Sequence, residues 1–231
     1  MQGTPYIYQG EELGMTNVFF DSVDDYNDLE IHDSWRKYVV ESQRVSPEDM
    51  LRYISASGRD NARTPMQWDA SENAGFTTGT PWLKVNPRYT DINAAEELAN
   101  DDSIFYHYSD LIHLRKEHPI VLTGEYRVLN PEDEQVYAYL RVNSAEDAAA
   151  SGERALLVVA NFTQETLSLP YADGQLASLA LKNPGVLKIE ELAAMGEAPE
   201  LISSNYRNEH GEFTDEGTTL RPYEAKVYLY R

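Results

Sequence analysis

Apolar and polar positions change their period along this chain, and the changes divide it. Near the start, Pro5-Tyr-Ile-Tyr8 is a short aromatic and branched run closed by Gln9-Gly10. It predicts a buried strand running into a loop, with proline at the tolerated first position. From Met15 to about Ser57 the sequence is first acidic and irregular, then broadly helical over Ser34-Trp-Arg-Lys-Tyr-Val-Val-Glu41 and Ser46-Pro-Glu-Asp-Met-Leu-Arg-Tyr-Ile54. The second stretch carries a serine cap, proline at the first helical position and acids in the first turn.

Residues 58–93 break regular structure with Gly58, Pro65, Gly75, Gly79, Pro81 and Pro87 while keeping Trp68, Phe76 and Trp82 as large anchors, which predicts a long ordered loop. Between Asp102 and His118 the apolar positions Ile104, Phe105, Tyr108, Leu111 and Ile112 follow a helical stripe. Asp101 and Asp102 suit its start, Lys116 and His118 its end, and Pro119 stops it. The period then falls to two. Tyr126–Leu129, Val136–Val142, Ala155–Phe162, Thr166–Leu169 and Ala225–Tyr230 predict short strands of an antiparallel β domain. The stretch Asn143–Glu153, with Ala148-Ala-Ala-Ser-Gly152, reads as an exposed hairpin loop.

Composition narrows the partners. The 231 residues give a net charge of −20, from 19 basic and 39 acidic side chains, which opposes docking on nucleic acid or an anionic membrane. Most of these acids read as a solvated surface. With no cysteine there are no disulfides or thiolate metal sites, a composition that fits a cytoplasmic location. No apolar run approaches the roughly 20 residues that span a bilayer. The opening Met1-Gln-Gly-Thr-Pro-Tyr6 carries no charged leader and reads as the interior of a fold.

Candidate chemistry is confined to two segments. Gln9-Gly-Glu-Glu12 follows the first strand, and loops after strands form the active face of a (β/α)8 barrel. Taken alone it is an ordinary acidic turn. Arg59 and Arg63 flank Asp60 and Asn61 in a loop where helical pairing is not their purpose; each either holds sugar hydroxyls with its planar fork or makes a structural ion pair. Trp68, Phe76 and Trp82 either stack on sugar rings or pin the loop. His32-Asp33 lies in an irregular acidic stretch with no strand before it and is not read as catalytic. No phosphate loop, nucleophile elbow or zinc motif is present, which leaves chemistry by carboxylates alone, without metal or cofactor. Glycoside hydrolysis leads that class.

Gly3-Thr-Pro-Tyr-Ile-Tyr-Gln-Gly-Glu-Glu-Leu-Gly-Met-Thr-Asn17, Arg59-Asp-Asn-Ala-Arg-Thr-Pro-Met-Gln-Trp-Asp69, Asn73-Ala-Gly-Phe-Thr-Thr-Gly79 and Val158-Val-Ala-Asn-Phe162 occur in an order that resembles the oligo-1,6-glucosidases of the α-amylase superfamily, glycoside hydrolase family 13. The resemblance covers essentially the whole chain. It implies a retaining α-glucosidase acting on gluco-oligosaccharides, with the nucleophile, the acid/base and the stabilising aspartate all placed before the strand that Gly-Thr-Pro-Tyr represents. No catalytic residue is then carried here. By the same resemblance, residues 1–118 are the C-terminal segment of the barrel, with its eighth strand, long loop and last helix, and residues 119–231 are an antiparallel β-sandwich domain. Glu12 would lie near the rim that receives the leaving sugar, and of Arg59 and Arg63 one would grip the terminal glucose while the other braces the loop. Sucrose isomerases, trehalose-6-phosphate hydrolases and dextran glucosidases share these segments. The alternative from another class is a free-standing carbohydrate-binding or interaction module; a barrel remnant with one strand would instead leave apolar edges uncovered, which invites self-association of the fragment.

Overall fold

The computed structural model describes residues 2–129, 131–170, 199–206 and 217–231. It separates into two compact units, Tyr6–Tyr108 on the one hand and Met1–Pro5 with Ser109–Arg231 on the other.

In the first unit, helix α1 (Leu29–Trp35) starts at Asp28, whose carboxylate accepts from the Glu30 N–H, and passes into a π-helical turn at Arg36–Glu41. Helix α2 (Pro47–Ser57) begins as its sequence announces: Ser46 Oγ accepts from the Asp49 N–H at 3.1 Å, with Pro47 at the first position. The two helices close over Val18, Phe20, Tyr26, Ile31, Met50, Ile54 and Leu83, the unit's buried cluster. Residues 58–93 form an ordered loop with 3-10 turns at Arg59–Ala62, Glu72–Gly75 and Pro87–Thr90, and a short helix α3 (Ala94–Ala99) follows. Helix α4 (Ile104–Glu117) matches the predicted stripe, although none of its residues is fully buried, and the division between the units falls within it.

One predicted element differs. Pro5–Tyr8 is not a strand: it joins no sheet, and Tyr6 is 92% exposed. Its composition favours a pleated, covered surface, but a strand also needs backbone partners beside it, and none of the described residues supplies them.

The second unit begins its own fold with a short helix α5 (Ile120–Thr123) and is otherwise antiparallel β. Strands β1 (Glu125–Leu129), β2 (Val136–Val142), β3 (Ala155–Asn161), β7 (Ala225–Tyr230) and β5 (Glu200–Ser204) form one sheet in the order β1-β2-β3-β7-β5. Strands β4 (Leu167–Pro170) and β6 (Gly217–Leu220) pair as a second sheet with Leu167 opposite Leu220. Val136, Ala138, Leu140, Leu157, Val159 and Tyr228 from the large sheet share one core with Leu220 and Leu167 from the small one, a face-to-face packing of two antiparallel sheets. The opposite face of β3 and β7 is covered too: Leu156 and Leu229 pack on Ile120 of α5. Burial on both faces explains why Ala155-Leu-Leu-Val-Val-Ala160 is continuously apolar rather than alternating.

The link between β2 and β3 corrects a second expectation. Instead of a hairpin loop it contains helix α6 (Ala145–Ser151), capped by Ser144 through the Asp147 N–H and ended by Gly152 at φ 74°. The alanine run that reads as loose is the helix body; the serine cap and the left-handed glycine were its start and stop signals.

Candidate functional site

The two recognised segments meet in one place. Gly10 and Gly14, both at positive φ, frame a 3-10 turn at Glu11–Leu13. Asparagines stitch this turn to the Gly58–Trp68 loop and to α2. Asn61 Oδ1 accepts from the Val18 N–H at 3.1 Å while its Nδ2 donates to Ser55 O, and Asn17 Nδ2 donates to Ser55 O and Ala56 O. Farther along, Asn86 Nδ2 donates to Thr16 O at 2.8 Å, and Gln67 Nε2 donates to Ile92 O. Between the stitched segments lies a cavity of about 350 Å³, lined among others by Tyr8, Glu11, Met15, Asn17, Asn61 and Thr64. The Thr64 hydroxyl is buried with no hydrogen-bond partner among the described residues.

Glu12 does not line this cavity. Its carboxylate turns back on its own loop and accepts from the Gly10 N–H at 2.8 Å, whereas Glu11 faces the cavity. Both charges lie near Tyr108, whose phenol is pushed up first by burial and then by these two carboxylates.

The arginines fall into different roles. Arg59 Nε and Nη2 donate to the two oxygens of Asp28, each at 2.7 Å, the fork-to-fork geometry in which guanidinium and carboxylate match best. That pairing holds the Asp28 carboxyl below its ordinary range despite burial, helped by the Glu30 N–H and the Arg63 charge, and it raises Arg59 in turn. Arg63 is held more loosely. Its Nη1 lies 3.5 Å from Asp60 Oδ1 and 3.8 Å from Asp28 Oδ2, and its side chain is 42% exposed. Asp60 is fully buried, and its other oxygen accepts from two backbone groups, the N–H of Asn27 at 2.6 Å and that of Asp28 at 2.9 Å.

Beneath the two arginines, then, sit two buried carboxylates. The sequence does not single out Asp28, and it names Asp60 only as a neighbour of the arginines. The usable signal was the helix start at Asp28-Leu-Glu30, which marks Asp28 as a cap with its carboxylate tied to the backbone; its burial is set by the tertiary fold.

Other candidates disperse. His32 Nε2 hydrogen-bonds Tyr26 O at 2.8 Å, and Asp33 pairs with Arg36 at 3.0 Å, so the adjacent pair shares no site. Trp68, Phe76 and Trp82 are 52%, 43% and 56% exposed. Among the described residues no cluster of three His, Asp or Glu side chains is disposed to hold a metal ion.

A family model described as alpha amylase, catalytic domain, matches residues 1–124. The chain belongs to the alpha-amylase family. It is 43% identical over 230 residues to an oligo-1,6-glucosidase of Halalkalibacterium halodurans, a match covering 99% of this chain and 36% of that protein. Among solved structures, it resembles trehalose-6-phosphate hydrolase of Bacillus licheniformis, with a TM-score of 0.80 at 38% identity over 100% of this chain and 36% of that one. Trehalulose synthase of Pseudomonas mesoacidophila gives a TM-score of 0.77 at 36% identity, again over 100% of this chain and 36% of the other. These neighbours are alpha-amylase-family enzymes with a TIM-barrel fold, and the chain spans about a third of the length of its curated relatives.

Proposed function

We propose that this chain is the C-terminal part of a retaining, exo-acting α-glucosidase that hydrolyses α-1,6 and, in some substrates, α-1,4 bonds at the non-reducing end of gluco-oligosaccharides. Residues 1–118 complete the barrel and residues 119–231 form its β domain. Such hydrolysis takes a nucleophilic carboxylate and an acid/base carboxylate about 5–5.5 Å apart. In this reading both stand outside these residues, and the chain supplies one wall of the sugar site.

The observation that carries the proposal is the unequal engagement of the two arginines. Arg59 is closed on Asp28 by two 2.7 Å bonds and braces the loop, while Arg63, touched by a carboxylate only at 3.5 Å or more, has donors left over to grip the hydroxyls of the terminal glucose. Glu12, turned onto Gly10, shapes the rim that receives the leaving sugar.

Incubation of the purified chain with p-nitrophenyl α-glucoside is expected to release no p-nitrophenol. Turnover that survives rigorous removal of host enzymes would sink the proposal. A second reading follows from the likeness to trehalulose synthase and trehalose-6-phosphate hydrolase: the same wall serving sucrose isomerisation or cleavage of a phosphorylated disaccharide. The full-length protein given sucrose, trehalose 6-phosphate and isomaltose in parallel separates the three by product.

A further inference from the structure

We propose that Asp60 is the positioning residue that aims Arg63, with Asp28 as a second prop. The inference rests on the reading of Arg63 as the sugar-gripping arginine. Three features of the loop converge on it. First, the Asp60 carboxylate cannot swing away: it is fully buried, and Oδ2 is fixed by the N–H groups of Asn27 and Asp28 at 2.6 and 2.9 Å. Its free oxygen, Oδ1, therefore has a set direction, and Arg63 Nη1 lies along it at 3.5 Å.

Second, Asp60 also holds the Arg63 backbone. The Arg63 N–H donates to Asp60 O at 3.0 Å, closing the 3-10 turn Arg59–Ala62. One residue thus fixes both where Arg63 leaves the chain and where its inner nitrogen ends. Third, the neighbouring charges are already committed. Arg59 occupies both oxygens of Asp28 and also lies 3.3 Å from Glu30, so the open negative direction is the one toward Arg63. Anchoring one Nη of a planar guanidinium leaves its outer edge oriented with its donors facing solvent, ready for two adjacent hydroxyls. Since ordering a free arginine at the moment of binding costs conformational entropy, a fork held beforehand binds more tightly.

Asp60→Asn is the discriminating change. Its amide oxygen can accept the same two backbone N–H groups, so the loop keeps its support, but its NH₂ now faces Arg63 Nη1, donor against donor. Arginine side-chain ¹⁵N relaxation on the intact 231-residue chain, with Arg63 assigned through Arg63→Lys, reads the consequence. In the unmodified chain the Arg63 guanidinium is expected to be ordered and its protons to exchange about tenfold more slowly than those of exposed Arg44, as one charge-assisted hydrogen bond allows. In Asp60→Asn both differences should disappear while the tryptophan-detected urea transition is kept. An Arg63 that stays as ordered in Asp60→Asn as before overturns the inference. So does an Arg63 whose protons exchange as fast as those of Arg44 in the unmodified chain, a measurement that requires no variant to fold. The sugar reading fails separately: if Arg63→Ala in the full-length protein leaves KM for p-nitrophenyl α-glucoside unchanged, Arg63 does not hold sugar, whatever holds Arg63.

Discussion

Replacing Asp28 by asparagine tests the brace directly. Asp28 is 4% exposed and receives three hydrogen bonds, one from the Glu30 N–H at 3.0 Å and two from Arg59 at 2.7 Å. Asparagine caps a helix as well as aspartate does, so α1 keeps its start. The loss falls on the Arg59 contact, where one carboxylate oxygen becomes an NH₂ that opposes a guanidinium N–H. A hydrogen bond to a charged group contributes about 1.5–3 kcal/mol, and the half-exposed arginine places this one toward the lower end, so Asp28→Asn should destabilise the first unit by about 2 kcal/mol.

The assay is built into the sequence, because all three tryptophans, Trp35, Trp68 and Trp82, lie in Tyr6–Tyr108. With a urea dependence of about 1–3 kcal/mol per molar, the fluorescence midpoint at pH 7 should fall by about 1 M. The pH dependence has a definite sign. Asp28 titrates lower in the folded chain than its unfolded value of about 3.9, so its contribution is present above that value and is lost as pH falls through the lower folded one. The gap between the two proteins should therefore close below about pH 4. Equal midpoints at pH 7, or a gap unchanged down to about pH 3, would refute the brace.

Three further outcomes follow from the geometry. Glu224→Ala removes the acceptor for the Arg221 N–H and guanidinium, and it leaves Lys226, 2% exposed, without its carboxylate at 3.6 Å; the β domain should lose about 3–5 kcal/mol in thermal melts followed by circular dichroism. Burial lowers the Lys226 pKa, so the unfolded chain binds more protons, and the remaining stability of that variant should rise with pH between the folded value and about 10.4. Gly75→Ala would put Cβ 2.7 Å from Asp69 Oδ2 at φ +66°, so at least the left-handed penalty of about 1–2 kcal/mol should appear in the tryptophan-detected urea transition. Tyr137, whose phenol is pushed up to about 12 first by the Tyr126 hydroxyl at 2.6 Å, should ionise closer to 10 in Tyr126→Phe, read as absorbance of the tyrosinate band against pH.

Local signals were legible where the chain answers to itself. Ser46 and Pro47 announce α2, and the two-residue alternation of Val136–Val142 and the apolar run of Ala155–Asn161 announce their strands, because caps and sheet faces are set by residues a few positions apart. Pro5–Tyr8 and α4 show the limit of such signals. The first has strand composition and no partner among the described residues, and the second has a helical stripe in which Ile104, Leu111 and Ile112 remain more than a third exposed. A periodicity states which face seeks cover; it does not state what covers it.

The same limit governs the arginines. Both sit in one loop four residues apart, with identical chemistry, and nothing within Arg59–Arg63 ranks them. The decision is made 31 residues away, where the start of α1 turns the Asp28 carboxylate inward and Arg59, not Arg63, meets it with both nitrogens. Helix α1 starts at Asp28 for a local reason, the cap on the Glu30 N–H, and the same carboxylate is the one on which Arg59 closes. If that chain of causes is right, exchanging the cap for serine in Asp28→Ser should keep α1, release Arg59 from its fork, and lower the side-chain order of Arg59 by ¹⁵N relaxation below that of Arg63, which keeps Asp60. Arg59 remaining rigid without a carboxylate at position 28 would show that the loop, rather than the cap, decides between them.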